Sequence, residues 1–226
     1  MKKLVLLLLL ISVASCKTED SKVQNDLQVE GLQGKVKTYT KITTDLQKFE
    51  TQKSVYHFNT DGFITSVEGY LVVQEPEVGN VDLSVSKIDY EPYKGNKREL
   101  KVKGIEGVSP IISTEEWNSN NQLITYQKNG DFISNKIHSF NDKGQLLSIE
   151  SNGTVSDIAF NIVESYYYND DNTIQKVIRE DRDSEQKREQ TYKVWGKDKE
   201  GNPAVLEKSV KDLVVSRVLY EYEYYE

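Results

Sequence analysis

The feature that most constrains this chain is a short unit that returns along it. An aromatic residue is followed by Asn, two polar residues, Gly or Asn, one spacer, and Ile or Leu. Phe58-Asn59-Thr60-Asp61-Gly62-Phe63-Ile64 has this form, and so does Trp117-Asn118-Ser119-Asn120-Asn121-Gln122-Leu123. Phe140-Asn141-Asp142-Lys143-Gly144-Gln145-Leu146 and Tyr168-Asn169-Asp170-Asp171-Asn172-Thr173-Ile174 repeat it. Trp195 opens a longer variant that ends in Gly201-Asn202, and Tyr93-Lys94-Gly95-Asn96 is a degenerate copy. The leading aromatics at 58, 93, 117, 140, 168 and 195 give a mean step of about 27 residues, the mark of an array of supersecondary units. One further step reaches Tyr222, in the terminal run 220–225.

The unit has a physical reading. Asn at the first and Gly at the fourth position suit a type I turn. The Gly position then requires a left-handed backbone, which closes a short hairpin with a bulge. Asn121 and Asn172 stand where Gly stands elsewhere, and Asn is the next residue best able to adopt that conformation. The flanks, such as Ser54–Phe58, Val163–Tyr168 and Leu146–Ile149, are rich in aromatic and β-branched residues and partly alternate. Each step holds two strands, a tight turn and a return loop, which predicts about a dozen strands in an antiparallel meander. Four prolines in the whole chain suit a continuous ladder. The fold expected is all-β: a meander of about 27-residue hairpin repeats forming a curved sheet, half-barrel or small barrel. No amphipathic helix stands out, and the charged segment Asp181–Gln190 reads as a long hairpin tip.

The N-terminus carries a different signal. Lys2 and Lys3 precede the apolar run Leu4–Val13, and Ala14-Ser15-Cys16 follows. Ten apolar residues cannot cross ~30 Å of hydrocarbon, so residues 1–15 read as a removed signal peptide. Small residues ending at a cysteine resemble the lipobox of bacterial lipoproteins. That resemblance implies lipid attachment at Cys16, anchoring without spanning. Diacylation plus N-acylation gives a stable hold, because each buried CH₂ contributes about 0.8 kcal/mol. Cys16 is the only cysteine. Once lipidated it leaves no thiol for disulfides, thiolate catalysis or thiolate metal sites. Residues 16–30 read as the lipidated Cys and a flexible tether, and residues 31–226 as the repeat-built β domain.

The net charge of −7 becomes −9 once Lys2 and Lys3 are removed. That argues against nucleic acid, which needs a basic surface. The repeat resembles the YD, or RHS-type, repeat. Together with the lipobox and the opening Gly31-Leu32-Gln33-Gly34-Lys35-Val36-Lys37, it resembles a group of Bacteroidetes lipoproteins. It departs from true YD repeats in having Asn where they favour Asp, and no Gly-Arg after the turn. In such lipoproteins Lys17, rather than Asp, favours export to the outer membrane. Glu19 and Asp20 resemble an acidic surface-export signal, leaving the surface and periplasmic faces both open.

Candidate chemistry is sparse. His57 and His138 lie at different offsets before a repeat aromatic, which points them to opposite faces of their sheet. Asn169–Asn172 is oxygen-rich, but the repeat already accounts for it, and calcium needs six to eight oxygens. No nucleophile elbow, phosphate loop or metalloprotease helix is present, so no catalytic residue, metal or cofactor is assigned. The aromatics are the better signal: 14 Tyr, 2 Trp and 6 Phe. Tyr167, Tyr222 and Tyr224 are candidates for an exposed binding surface, with Tyr166 and Tyr168 in core phase. The function expected is a lipid-anchored, non-catalytic outer-membrane lipoprotein acting as a protein-binding accessory subunit of an outer-membrane complex. The alternatives are a glycan-binding surface lipoprotein and an immunity-type lipoprotein that blocks a toxin.

Overall fold

The structure, a computed structural model, describes residues 23–75, 79–103 and 111–226. A one-turn helix, α1 (Asp26–Val29), comes first. The strands that follow are β1 (Val36–Asp45), β2 (Glu50–Phe58), β3 (Ile64–Glu75), β4 (Gly79–Tyr90), β5 (Lys97–Lys103), β6 (Ile111–Trp117) and β7 (Gln122–Asn129). They continue as β8 (Phe132–Phe140), β9 (Leu146–Val155), β10 (Ile158–Tyr168), β11 (Ile174–Asp181), β12 (Gln186–Lys197), β13 (Pro203–Val210) and β14 (Leu213–Tyr224). Each strand pairs antiparallel with the next, and β14 returns to β1, so these fourteen strands close a barrel.

The repeat turns work as their residues require. Asn59 Oδ1 accepts from the backbone N–H of Asp61 and Phe63, both at 3.0 Å. Asn118, Asn141 and Asp198 make the same pair of bonds to the residues two and four positions on. The common requirement is a side-chain oxygen two bonds beyond Cβ, which Asn and Asp share. The fourth position has φ of +82° at Gly62, +58° at Asn121 and +65° at Asn172. A register shift falls at the leading aromatic of three copies, Phe58, Phe140 and Tyr168.

The return loops are tighter than the sequence suggests. Ser156-Asp157 and Lys211-Asp212 are two-residue connections with positive φ at both positions, the type I′ geometry that matches strand twist. Tight connections at both ends leave room for fourteen strands rather than about a dozen. They also let β1 meet β14 over the run from Val36↔Tyr224 to Asp45↔Ser216. The meander therefore closes as a full barrel.

Period-2 alternation sets the two faces. Tyr39 is buried and lies opposite Tyr56 on β2 and Tyr222 on β14, which fixes the inward phase all round. Fourteen strands at ~4.8 Å spacing and ~40° tilt give a round section about 28 Å across, wider than side chains can fill. Lumen-facing Glu50, Lys136, Arg179 and Arg188 are accordingly exposed.

Candidate functional site

The repeat turns all lie at one end of the barrel, and the N-terminal segment plugs that end. Asn25 caps α1, its side chain accepting from Gln28 N–H at 3.0 Å. Leu27 packs with Val36, Tyr39, Phe58, Ile64 and Val67, while Val29 packs against Trp117, Leu123 and Phe140. The Leu27 N–H donates to Gly62 O at 3.1 Å, and Gln24 hydrogen-bonds the Asn121 side chain. Residues 23–30, expected as part of a flexible tether, are thus built into the barrel. Five of these eight residues are polar, and that composition hid the two buried ones, Asp26 and Leu27.

The plug is locked by charge. Asp26 accepts two bonds from Arg98, at 2.7 and 2.9 Å, and one from Ile64 N–H at 2.6 Å. Arg98 also reaches Glu115 at 2.6 Å. Its guanidinium lies 4.6 Å from the Tyr90 ring centre and 4.5 Å from that of Tyr93. Tyr93 OH in turn accepts from Trp117 Nε1 at 3.2 Å. Burial opposes the charge on Arg98, but Asp26 and Glu115 more than compensate, so its pKa lies above the ordinary value. Burial pushes the Glu115 carboxyl up, with Arg98 pulling the other way. A buried pair of this kind costs desolvation and is very sensitive to loss of one member. The signal was present in the alternation: Arg98 shares its face with Leu100, and Glu115 shares its face with Trp117. A charge at a core position of a strand calls for an opposite charge from elsewhere in the chain.

The termini finish the same end. Asn202, 1% exposed, bonds the Gln33 backbone at both N–H and C=O, and donates to Tyr224 OH at 2.8 Å. Tyr224 OH also donates to Asp198. Tyr222 stacks on Tyr39 at 5.6 Å and donates to Pro203 O at 2.8 Å. Tyr222 and Tyr224 therefore face inward and are not part of an exposed surface. Closure against β1 sets this phase, sending Glu221 and Glu223 outward instead.

Tyr167 does face outward. It is 43% exposed, with Lys176 Nζ 4.9 Å from its ring centre. Trp195, 47% exposed, lies on the same outer wall. Near the turn end of β11 and β12 a groove of about 580 Å³ is lined by Asn169, Asp171, Thr173, Tyr192, Val194 and Lys197, among others, and neither Tyr167 nor Trp195 lines it. The Asp171 carboxylate is held by Thr173 and by Lys197 at 3.1 Å, which lowers its pKa to about 2. His57 points outward opposite Thr38 and Ser66, whereas His138 points inward opposite Leu123 and Ile149. The two histidines therefore do not converge. Cys16 lies outside the described residues.

The outer wall is charged along its height. Lys53, Glu68, Asp82, Lys87, Asp89 and Lys101 occupy outward positions on β2–β5. Many pair across strands, as in Lys53–Asp82 at 2.5 Å and Arg217–Glu207 at 2.6 Å. A membrane-spanning barrel needs an outward apolar band ~25 Å tall; this wall is suited to water.

The end opposite the plug is a rim of hairpin tips. Phe49 is 88% exposed, Ile158 74% and Leu213 62%. The Leu46 N–H donates to Val215 O at 3.0 Å, which ties the β1–β2 tip to β14.

Taken together, these features define a hollow, water-facing, fourteen-stranded antiparallel barrel plugged by its own N-terminal segment. No protein-family model matches the chain, and no curated protein does. Among solved structures it is similar to a porin-like protein from Bacteroides uniformis, with a TM-score of 0.47 and 13% identity over 83% of this chain and 98% of that one.

Proposed function

We propose that this chain is a non-catalytic outer-membrane lipoprotein, anchored through Cys16, that acts as a protein-binding accessory subunit. The rim carries this reading. Six residues, or seven Cα-to-Cα steps, separate Cys16 from Val23, the first residue of the plug segment. They span at most about 25 Å, so the plugged end is held toward the bilayer. The strands then carry Phe49, Ile158 and Leu213 away from the anchor to the opposite end. Burying each such side chain contributes about 1.5–3 kcal/mol, enough for a few tips to dominate an interface. Tethering raises local concentration at the membrane and favours a partner there.

The test is a mild-detergent pull-down through a C-terminal tag, which sits at the plugged end beside Lys35. A stable partner is expected with the natural chain. It should be lost in the triple variant Phe49→Ser, Ile158→Ser, Leu213→Ser, while the melting temperature holds. Retention of the partner by the folded triple variant overturns the reading.

The exposed rings of Tyr167 and Trp195 on the outer wall favour a second reading, glycan binding, because rings with polar neighbours suit sugar stacking. Retention on immobilised polysaccharide, lost in Tyr167→Ala and in Trp195→Ala, would favour it over the first.

A further inference from the structure

The barrel treats its cations differently on its two faces. On the outside of β11–β14, Lys176 pairs with Glu189 at 3.8 Å, Lys187 with Glu180 at 3.0 Å, and Arg217 with Glu207 at 2.6 Å. On the lumen face of the same wall, Arg179 and Arg188 stand directly opposite each other in register. Like charges so placed are destabilising. Arg179 is satisfied by Glu164 at 3.2 Å. Among the described residues, no carboxylate lies within 4.0 Å of the side-chain nitrogens of Arg188, Lys208 or Lys41. An acidic chain thus leaves these lumen cations without a carboxylate in ion-pair contact, although Asp45 lies near enough to Lys208 and Glu30 to Lys41 to feel their charge.

Two of them line a cavity of about 470 Å³. Arg188 and Lys208 share it with Thr43, Gln52, Gln190 and Ser216, which offer hydroxyl and amide partners. Asp45, Glu50 and Lys48 also line it. Asp45 Oδ1 is already occupied by the amides of Gln47 and Lys48, at 2.9 and 3.0 Å. One step toward the plug on β12, the Tyr192 hydroxyl donates to Gln190 at 3.0 Å, so an aromatic ring underlies the polar layer.

We propose that this lumen wall is a binding site for a compact organic anion bearing a carboxylate or phosphate, held by Arg188 and Lys208 with Gln190, Gln52 and Ser216 completing its hydrogen bonds. Charge-assisted bonds from a guanidinium are the strong kind. The ligand would also relieve the Arg179–Arg188 opposition. This inference does not depend on rim docking, because the site lies inside the wall.

The experiment is calorimetric titration of the full chain in mild detergent with glucuronate, inorganic phosphate and glucose. Saturable binding of glucuronate or of phosphate, with none of glucose, is expected, and which anion wins identifies the source. The double variant Arg188→Gln, Lys208→Gln should weaken binding at least tenfold. Lys187→Gln, one position away on the outer face, should leave it unchanged. A measurement on the natural chain covers the event that the double variant does not fold. The bound anion should protect Arg188 from phenylglyoxal, read by mass spectrometry, while leaving outward Arg217 reactive. The proposal is overturned by failure of both anions to bind at millimolar concentration. It is equally overturned by glucose binding as well, by a folded double variant that binds unchanged, or by an Arg188 that is not protected.

Discussion

At the plugged end, six turns and α1 draw side chains inward: Asp26, Arg98 and Trp117 are all buried. At the rim, the same strands end in tips whose Phe49, Ile158 and Leu213 stand in water. The plugged end is where a repeated turn sequence meets a single partner segment, so its contacts are internal and specific. The described rim tips do not carry the repeated turn sequence of the plugged end. One end of the barrel is packed and locked by charge, and the other exposes large apolar side chains.

This contrast can be broken or sharpened by substitution. The largest effect is expected from Arg98→Met, which strands Asp26 and Glu115 in the core and costs about 3–5 kcal/mol. For a chain of this size that is a fall of about 10 °C in melting temperature. Arg188→Met on the lumen wall should change it little, and an equal fall in both would dissolve the distinction. Next, Asn141→Ala removes two bonds to turn amides and should cost about 1 kcal/mol in denaturant unfolding. At the rim the sign reverses. Lys211→Asn with Asp212→Gly places better residues in a type I′ connection and should stabilise by about 0.5–1 kcal/mol.

The smallest effect concerns pH. Burial in the wall pushes the His138 imidazole below its ordinary 6.5. The unfolded chain therefore takes up a proton that the folded chain resists. That contribution to stability is complete above the unfolded value and is lost as pH falls from about 7 through 6 toward the folded value. His138→Gln should flatten melting temperature against pH over that window.

What the sequence revealed and what it hid follow the same division. The repeat turns were legible because Asn-x-x-Gly states a local backbone demand, and Asn121 and Asn172 met it by the same left-handed conformation. The opposed phases of His57 and His138, and the outward phase of Tyr167, were legible from alternation within a strand. Closure was not, because it depends on β1 pairing with β14 across the whole chain. Tyr222 and Tyr224 were therefore given the wrong face, since their phase is set by that distant strand. The rim hairpins were hidden because Ser156-Asp157 and Lys211-Asp212 carry none of the Gly that normally marks such turns. The plug was hidden in a polar stretch whose Asp26 is explained only by Arg98, 72 residues away.

Closure is the claim on which plug, lumen and rim all depend. Thr40 and Glu221 face each other across the closing pair of strands on the outer wall. In a Cys16→Ser background, the pair Thr40→Cys, Glu221→Cys should form a disulfide in nearly every folded molecule under mild oxidation, while Thr40→Cys with Lys101→Cys should not. Two free, maleimide-reactive thiols at 40 and 221 in the folded protein would show an open sheet and contradict the account.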